Sequence, residues 1–174
     1  MKINLEGRAR LLGDDINTDY IVSSSRKKES LDTQILKQYL LESVDPEFAA
    51  SVMPDDIIVA GKNFGCGSAM EIASTILLAA GIKVIVAKSF ARTFYRNSVN
   101  NGLIPVECDA SSISEGDHLE VILADGQVKI LNKSSDEQTI IGNPLPTIML
   151  DILIAGGLVP YFRRHHDFKS IVSE

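Results

Sequence analysis

The chain has 174 residues, two cysteines and a formal net charge of −6, with 45% hydrophobic and 23% charged residues. This is the composition of one folded domain with a proper core; no apolar run approaches the roughly 18 residues of a membrane span, and the acidic balance argues against a nucleic-acid partner. The opening Met1-Lys2-Ile3-Asn4-Leu5-Glu6 lacks the apolar stretch of a secretory signal, so cytoplasmic residence is expected. Cys66 and Cys108 are too few for a disulfide framework and lie in no CxxC or His-rich pattern, so no metal site is expected within this chain.

In chain order, residues 7–12 open with a strand-like run, and Gly13-Asp14-Asp15-Ile16-Asn17-Thr18-Asp19 follows as a polar turn. After the apolar beat Tyr20-Ile21-Val22, residues 23–30 are polar throughout and read as a loop containing the cations Arg26, Lys27 and Lys28. Such a run is either solvated charge or a grip for the carboxylates of a small acid. Residues 31–50 read as helical with a break at Pro46, and Ile35, Leu36, Tyr39 and Leu40 form the packing stripe. Residues 57–60 read as a buried strand, 72–80 as a helix closed by Gly81, and 83–87 as a β-branched parallel strand, together one right-handed βαβ unit. Residues 89–102 form a helix with Phe90, Phe94 and Ser98 on one face and Arg92 and Arg96 on another, stopped at Asn101-Gly102. Those arginines are surface charge, or contacts for an anion or a partner.

Residues 103–108 read as a strand in which Pro105 points to a sheet edge. Beyond Ser111 the pattern turns to β: 118–123 alternate, Asp125-Gly126 turns the chain and 127–131 alternate back, with His118 at the surface. An apolar helix over 147–155, stopped by Gly156-Gly157, and the segment Leu158-Val159-Pro160-Tyr161-Phe162 close the core; Arg163-Arg164-His165-His166 begins a polar tail. Adjacent histidines point in different directions, which does not suggest a metal site. The fold class is α/β.

Gly61-Lys62-Asn63-Phe64-Gly65-Cys66-Gly67-Ser68-Ala69-Met70-Glu71 joins the first strand of the βαβ unit to its helix, where open α/β sheets place their active sites. Gly65 and Gly67 can take positive φ and admit close approach to the backbone, and Ser68 falls near the first helical turn with its unpaired N–H groups. The Ser68 hydroxyl is either functional or an N-cap, since Ser-x-x-Glu before an apolar run is also a capping box.

Together with Lys88-Ser89-Phe90-Ala91-Arg92-Thr93-Phe94-Tyr95-Arg96-Asn97, these two glycine-bearing segments resemble the small, swivelling subunit of the 3-isopropylmalate dehydratase and homoaconitase branch of the aconitase family. The likeness runs over 1–168 as a single domain and leaves 169–174 as the polar tail. It implies a swivelling β/β/α fold packed against a separate large subunit that holds a 4Fe–4S cluster. The implied reaction is dehydration and rehydration of a 2-hydroxy dicarboxylic acid, 3-isopropylmalate first, with 2,3-dimethylmalate, 2-methylmalate or homoaconitate as alternatives. In that scheme the cluster's open iron acts as Lewis acid on the departing hydroxyl and a serine, here Ser68, takes the proton from the neighbouring carbon. A serine is a feeble base unless helix N-terminal N–H groups and cations stabilise its alkoxide.

The resemblance also places substrate contacts at Gly67, Ala69 and Met70. The pattern usually continues after the serine as Ser-Arg-Glu, but here it reads Ala69-Met70-Glu71, so a carboxylate-binding arginine is missing. The specificity loop corresponds to about Arg26-Lys27-Lys28-Glu29, and one of its cations is expected to replace the missing charge. Arg26 or Lys28 is favoured, because alternate residues of an extended loop share a direction. A non-catalytic subunit that keeps the fold without the full site is the competing reading from a different class.

Overall fold

The computed structural model describes residues 2–135 and 138–165; His166 and the tail over 169–174 lie outside them. Strand β1 (Lys2–Leu11) is the spine. Its first residues, 2–8, pair antiparallel with β5 (His118–Ala124), and residues 9–11 pair parallel with β2 (Ile57–Ala60). On the parallel side follow β3 (Val84–Ala87) and the edge strand β4 (Ile104–Glu107), which carries Pro105 as expected. On the antiparallel side follow β6 (Gln127–Asn132) and β7 (Gln138–Gly142), giving a seven-stranded order β4-β3-β2-β1-β5-β6-β7. The sheet curls until its edges approach: the Asn143 N–H donates to the Glu107 carbonyl at 2.7 Å.

Strands β2 and β3 are buried along their whole length, and the two-residue period of a strand divides them between two cores. Ile57, Val59, Val84 and Val86 face the antiparallel half together with Leu150 and Leu153 of α7 (Thr147–Ala155) and Tyr161 of α8 (Leu158–His165). Ile58, Ala60, Ile85 and Ala87 face Ala73, Ile76 and Leu77 of α5 (Glu71–Ala79) and Phe94 of α6 (Arg92–Asn101). This is the α/β, β/β/α layering expected above. Among the described residues no helix is long and apolar enough to cross a membrane.

The segment between β1 and β2 departs from the sequence reading. It holds short helices α1 (Thr18–Ile21), α2 (Ser24–Glu29), α3 (Thr33–Leu36), a 3-10 turn over Lys37–Tyr39, and α4 (Phe48–Ser51). Residues 24–29 are thus helical rather than extended; the Ser23 hydroxyl caps them by accepting the Arg26 N–H at 3.3 Å. The expected packing stripe holds for Leu36 and Leu40, but Ile35 is 48% exposed, because α3 makes one turn before tightening to 3-10 geometry. Residues 158–162 are the start of α8, with Tyr161 buried and Val159 turned outward.

Where β1 changes partner, Arg8 and Arg10 converge on the buried Asp56 at 2.8 and 3.4 Å, and the Met53 N–H donates to the same carboxylate at 2.9 Å. Burial pushes the Asp56 carboxyl up, but the hydrogen bonds from Arg8 and from the Met53 N–H outweigh it and hold the group below the usual carboxylate range. The folded value is the lower one, so this stabilisation is present above the unfolded pKa of about 3.9 and is lost as pH falls through the folded value. Asp56→Asn is expected to cost roughly 2–4 kcal/mol at pH 7, because it removes the buried charge that Arg8 and Arg10 share and leaves Arg10 with the more exposed Glu115 as its ionic partner. Urea unfolding from pH 7 to pH 3 checks this: the gap between parent and variant should narrow below about pH 4.

Candidate active site

The carboxyl ends of β1 to β4 open on one edge of the sheet, and the three sequence segments singled out above meet there. Backbone bonds stitch them together. The Asp15 N–H donates to the Lys62 carbonyl at 2.8 Å, the Gly65 N–H to the Ile16 carbonyl at 2.8 Å, and the Thr18 N–H to the Cys66 carbonyl at 2.8 Å. From the other side the Phe64 N–H donates to the Ser89 carbonyl at 3.0 Å and the Ala91 N–H to the Phe64 carbonyl at 2.9 Å. Phe64, Phe90 and Phe94 pack beneath, Phe64 meeting Phe94 edge-on with ring centroids 5.2 Å apart. Gly65 and Gly67 take φ of +78° and +91°, which lets the turn pass close to Phe94 and to Asn17.

Ser68 stands at the end of this turn, exposed, between the exposed Gly67 and Ala69. Met70 occupies the N-cap of α5 with no side-chain cap hydrogen bond, so the capping box does not form. The Ser68 carbonyl accepts from the Met70 N–H at 2.8 Å and from the Thr18 hydroxyl at 3.0 Å, which fixes the backbone. The hydroxyl has no hydrogen-bond partner among the described residues. A held backbone with an unengaged hydroxyl beside an uncapped helix start is an arrangement in which the positive end of the helix stabilises developing negative charge on oxygen.

Helix α2 turns its three cations in different directions, as helical spacing requires. The Lys27 side chain is only 15% exposed; its ammonium meets the Met70 sulfur and lies 3.4 Å from the Asp19 carboxylate. Arg26 turns away, donating to Glu42 at 3.0 and 3.1 Å with its guanidinium 3.9 Å above the centre of the Tyr39 ring. Lys28 is exposed. The cation that reaches the serine turn is therefore Lys27; Arg26 and Lys28, expected from an extended loop, do not share that direction because the segment is a helix. Asp19 is held below the usual carboxylate range chiefly by the Ser24 hydroxyl, which donates at 2.8 Å, with Lys27 adding to it. Sequence reasoning gave Thr18 and Asp19 no individual role. Their clue was the turn containing them: Asp19 meets Ser24 and Lys27 on the next helix, but the partner of Thr18 lies fifty residues along the chain.

Cys66 is half-buried and burial raises its thiol; Cys108 is buried and its thiol is pushed up to about 11. Among the described residues no three His, Cys, Asp or Glu side chains come together in a metal-holding arrangement. Two cysteines are fewer than the three or four thiolates that hold an iron–sulfur cluster.

Residues 16–111 match the aconitase C-terminal domain. The chain is 42% identical over 167 residues to the 3-isopropylmalate dehydratase small subunit 2 of Archaeoglobus fulgidus, covering 96% of this chain and 99% of that one. It is also 42% identical to the isopropylmalate/citramalate isomerase small subunit of Methanocaldococcus jannaschii, over 94% of this chain and 96% of that protein. A crystal structure of 3-isopropylmalate dehydratase from the same organism superposes with a TM-score of 0.87 at 37% identity, covering 97% of this chain and 98% of the solved one.

The turn that presents Ser68 depends on Gly65. A Cβ there would fall 2.1 Å from Cγ of the buried Phe94, at a φ that disfavours side chains. Gly65→Ala is expected to destabilise by roughly 2–4 kcal/mol in urea unfolding, whereas Gly13→Ala, where a Cβ meets nothing within 4 Å, should stay within about 0.5 kcal/mol of the parent.

Proposed function

The chain belongs to the aconitase C-terminal domain family, and from that premise we propose that it is the small subunit of a two-component hydro-lyase acting on a 2-hydroxy dicarboxylic acid, with Ser68 as its base. The observation that carries this is the free, exposed Ser68 hydroxyl on a backbone fixed by Thr18, at an uncapped helix start. The small-subunit names of the relatives support a large-subunit partner. The 4Fe–4S cluster of the family belongs to that partner on this reading, since two cysteines are too few to hold it. Two unpaired cysteines fit a reducing, cytoplasmic setting.

The work of this chain is proton transfer and charge placement. Ser68 removes the proton from the carbon beside the substrate carboxylate, and the N-terminus of α5 stabilises the oxygen while it carries charge. Gly67, Ala69 and Met70 line the approach. Lys27 supplies the cation that Met70 does not, and Asp19 holds its ammonium in place until a substrate carboxylate competes for it. A non-catalytic subunit would need no such replacement, so Lys27 favours the enzymatic reading. The leading substrate is 3-isopropylmalate. The name of the M. jannaschii relative couples isopropylmalate with citramalate, which is 2-methylmalate, and this keeps the shorter branched acid as the second choice.

Both assignments are tested in the complex reconstituted without air with a purified large subunit, following unsaturated-acid absorbance on a panel of 2-hydroxy acids. Ser68→Ala should retain assembly and lower turnover by at least ~10²; near-parental turnover would place the base elsewhere. Lys27→Gln should reduce kcat/KM by an amount equivalent to roughly 1.5–3 kcal/mol, with Arg26→Gln and Lys28→Gln close to the parent. Equal values for Lys27→Gln and the parent at low and high salt would remove the cation from the site.

A further inference from the structure

Beside the serine turn, at the carboxyl ends of β3 and β4, lies a pocket of about 450 Å³ lined by Phe90, Arg92, Tyr95, Arg96 and Glu107. Arg92 and Arg96 sit one turn apart on α6, exposed, and neither has a partner among the described residues. Elsewhere the arginines of β1 and α2 are all committed: Arg8 and Arg10 to Asp56, Arg26 to Glu42. Glu107 does not neutralise the pair. Its carboxylate oxygens instead accept the Phe90 N–H and the Asn143 side-chain amide, each at 3.3 Å. Phe90 and Tyr95 meet edge-on with centroids 5.8 Å apart and form an apolar wall below the guanidinium groups.

We propose that this pocket is a docking socket for an acidic side chain of the large subunit, gripped by Arg92 and Arg96 with its carbon stem against Phe90 and Tyr95. The inference rests on the two-component reading above. If Ser68 acts on substrate held by a partner, that partner covers the carboxyl edge of the parallel sheet, and the pocket lies on that edge. The link is direct: Ala91, between Phe90 and Arg92, donates to Phe64 of the serine turn at 2.9 Å. A guanidinium pair one helical turn apart matches carboxylate geometry, and desolvation under a partner strengthens such contacts. Burial and then Glu107 raise the Tyr95 hydroxyl, which adds a polar group to the lining.

The test is association of this full chain with the purified large subunit, by calorimetry at 50 and 300 mM salt. The double variant Arg92→Glu with Arg96→Glu should bind roughly tenfold or more weakly at low salt and show a shallower salt dependence, with unchanged circular dichroism. Arg92→Lys with Arg96→Lys should recover part of the loss. If the parent forms an active complex and the reversed variant binds equally well at both salts, the socket is wrong while the two-component reading stands. If the parent does not bind the large subunit at all, both fall. Succinate is the probe for a small-molecule occupant: arginine-dependent binding of succinate to the chain alone, with partner association unaffected, would overturn the proposal in favour of a metabolite pocket.

Discussion

The constraint on which everything else depends is the backbone lattice around the turn from Gly61 to Ser68. The turn leaves β2 with Gly65 and Gly67 in the left-handed region and crosses between the loop after β1 and the loop after β3. It would have no reason to hold that course alone. The N–H groups and carbonyls of Asp15, Ile16 and Thr18 on one side, and of Ser89 and Ala91 on the other, occupy its own donors and acceptors. The Phe64–Phe90–Phe94 cluster then seals the underside. Because the backbone is satisfied from both flanks, the serine at its end is free to point outward without structural duty.

Strand β1 makes this possible by belonging to both halves of the sheet. Its antiparallel part anchors the β5–β6–β7 layer, and its last residues set the parallel register that brings the loop after β1 beside the loop after β2. The change of partner falls beside the Arg8–Asp56–Arg10 cluster, so a buried, charge-assisted joint fixes the relation between the halves. Stability at this joint and geometry at the serine turn are linked through the strand itself.

What could be read from the sequence was local. Ile57-Ile58-Val59-Ala60 and Val84-Ile85-Val86-Ala87 are unbroken apolar runs, so their burial on both faces, the helix between them and the glycine-rich turn could be read without coordinates. The helix α2 could not: Ser24-Ser25-Arg26-Lys27-Lys28-Glu29 has no apolar period because it buries nothing, and only the Ser23 cap marks its start. Nor could the separation of Lys27 from its neighbours, which follows from the helix once it is known. The hold of Thr18 on Ser68 spans fifty residues, and no spacing rule reaches that far. Ser68 itself was ambiguous for a definite reason. A capping box and a presented hydroxyl share the pattern Ser-x-x-Glu, and only the location of the N-cap at Met70 separates them.

On the proposed reading the position of the missing arginine is served by two side chains from different elements, the Met70 sulfur and the Lys27 ammonium, 43 residues apart in sequence. The exchange is not neutral. An arginine fork fixes the plane of a carboxylate, whereas an ammonium is a point charge that tolerates several orientations, and a thioether offers a soft apolar wall that adapts to shape. Discrimination at that carboxylate is therefore looser, and control of it passes from the rigid serine turn to α2. That helix is held by its Ser23 cap, by the Arg26–Glu42 and Lys27–Asp19 pairs and by Arg26 stacked on Tyr39, and none of its residues is buried. Part-exposed pairs of this kind contribute about 0–1 kcal/mol each, so α2 can shift at small cost while the serine stays where it is. On that reading the two tasks are separated physically: the base is anchored by the backbone lattice, and substrate fit is set by a short helix that buries none of its residues.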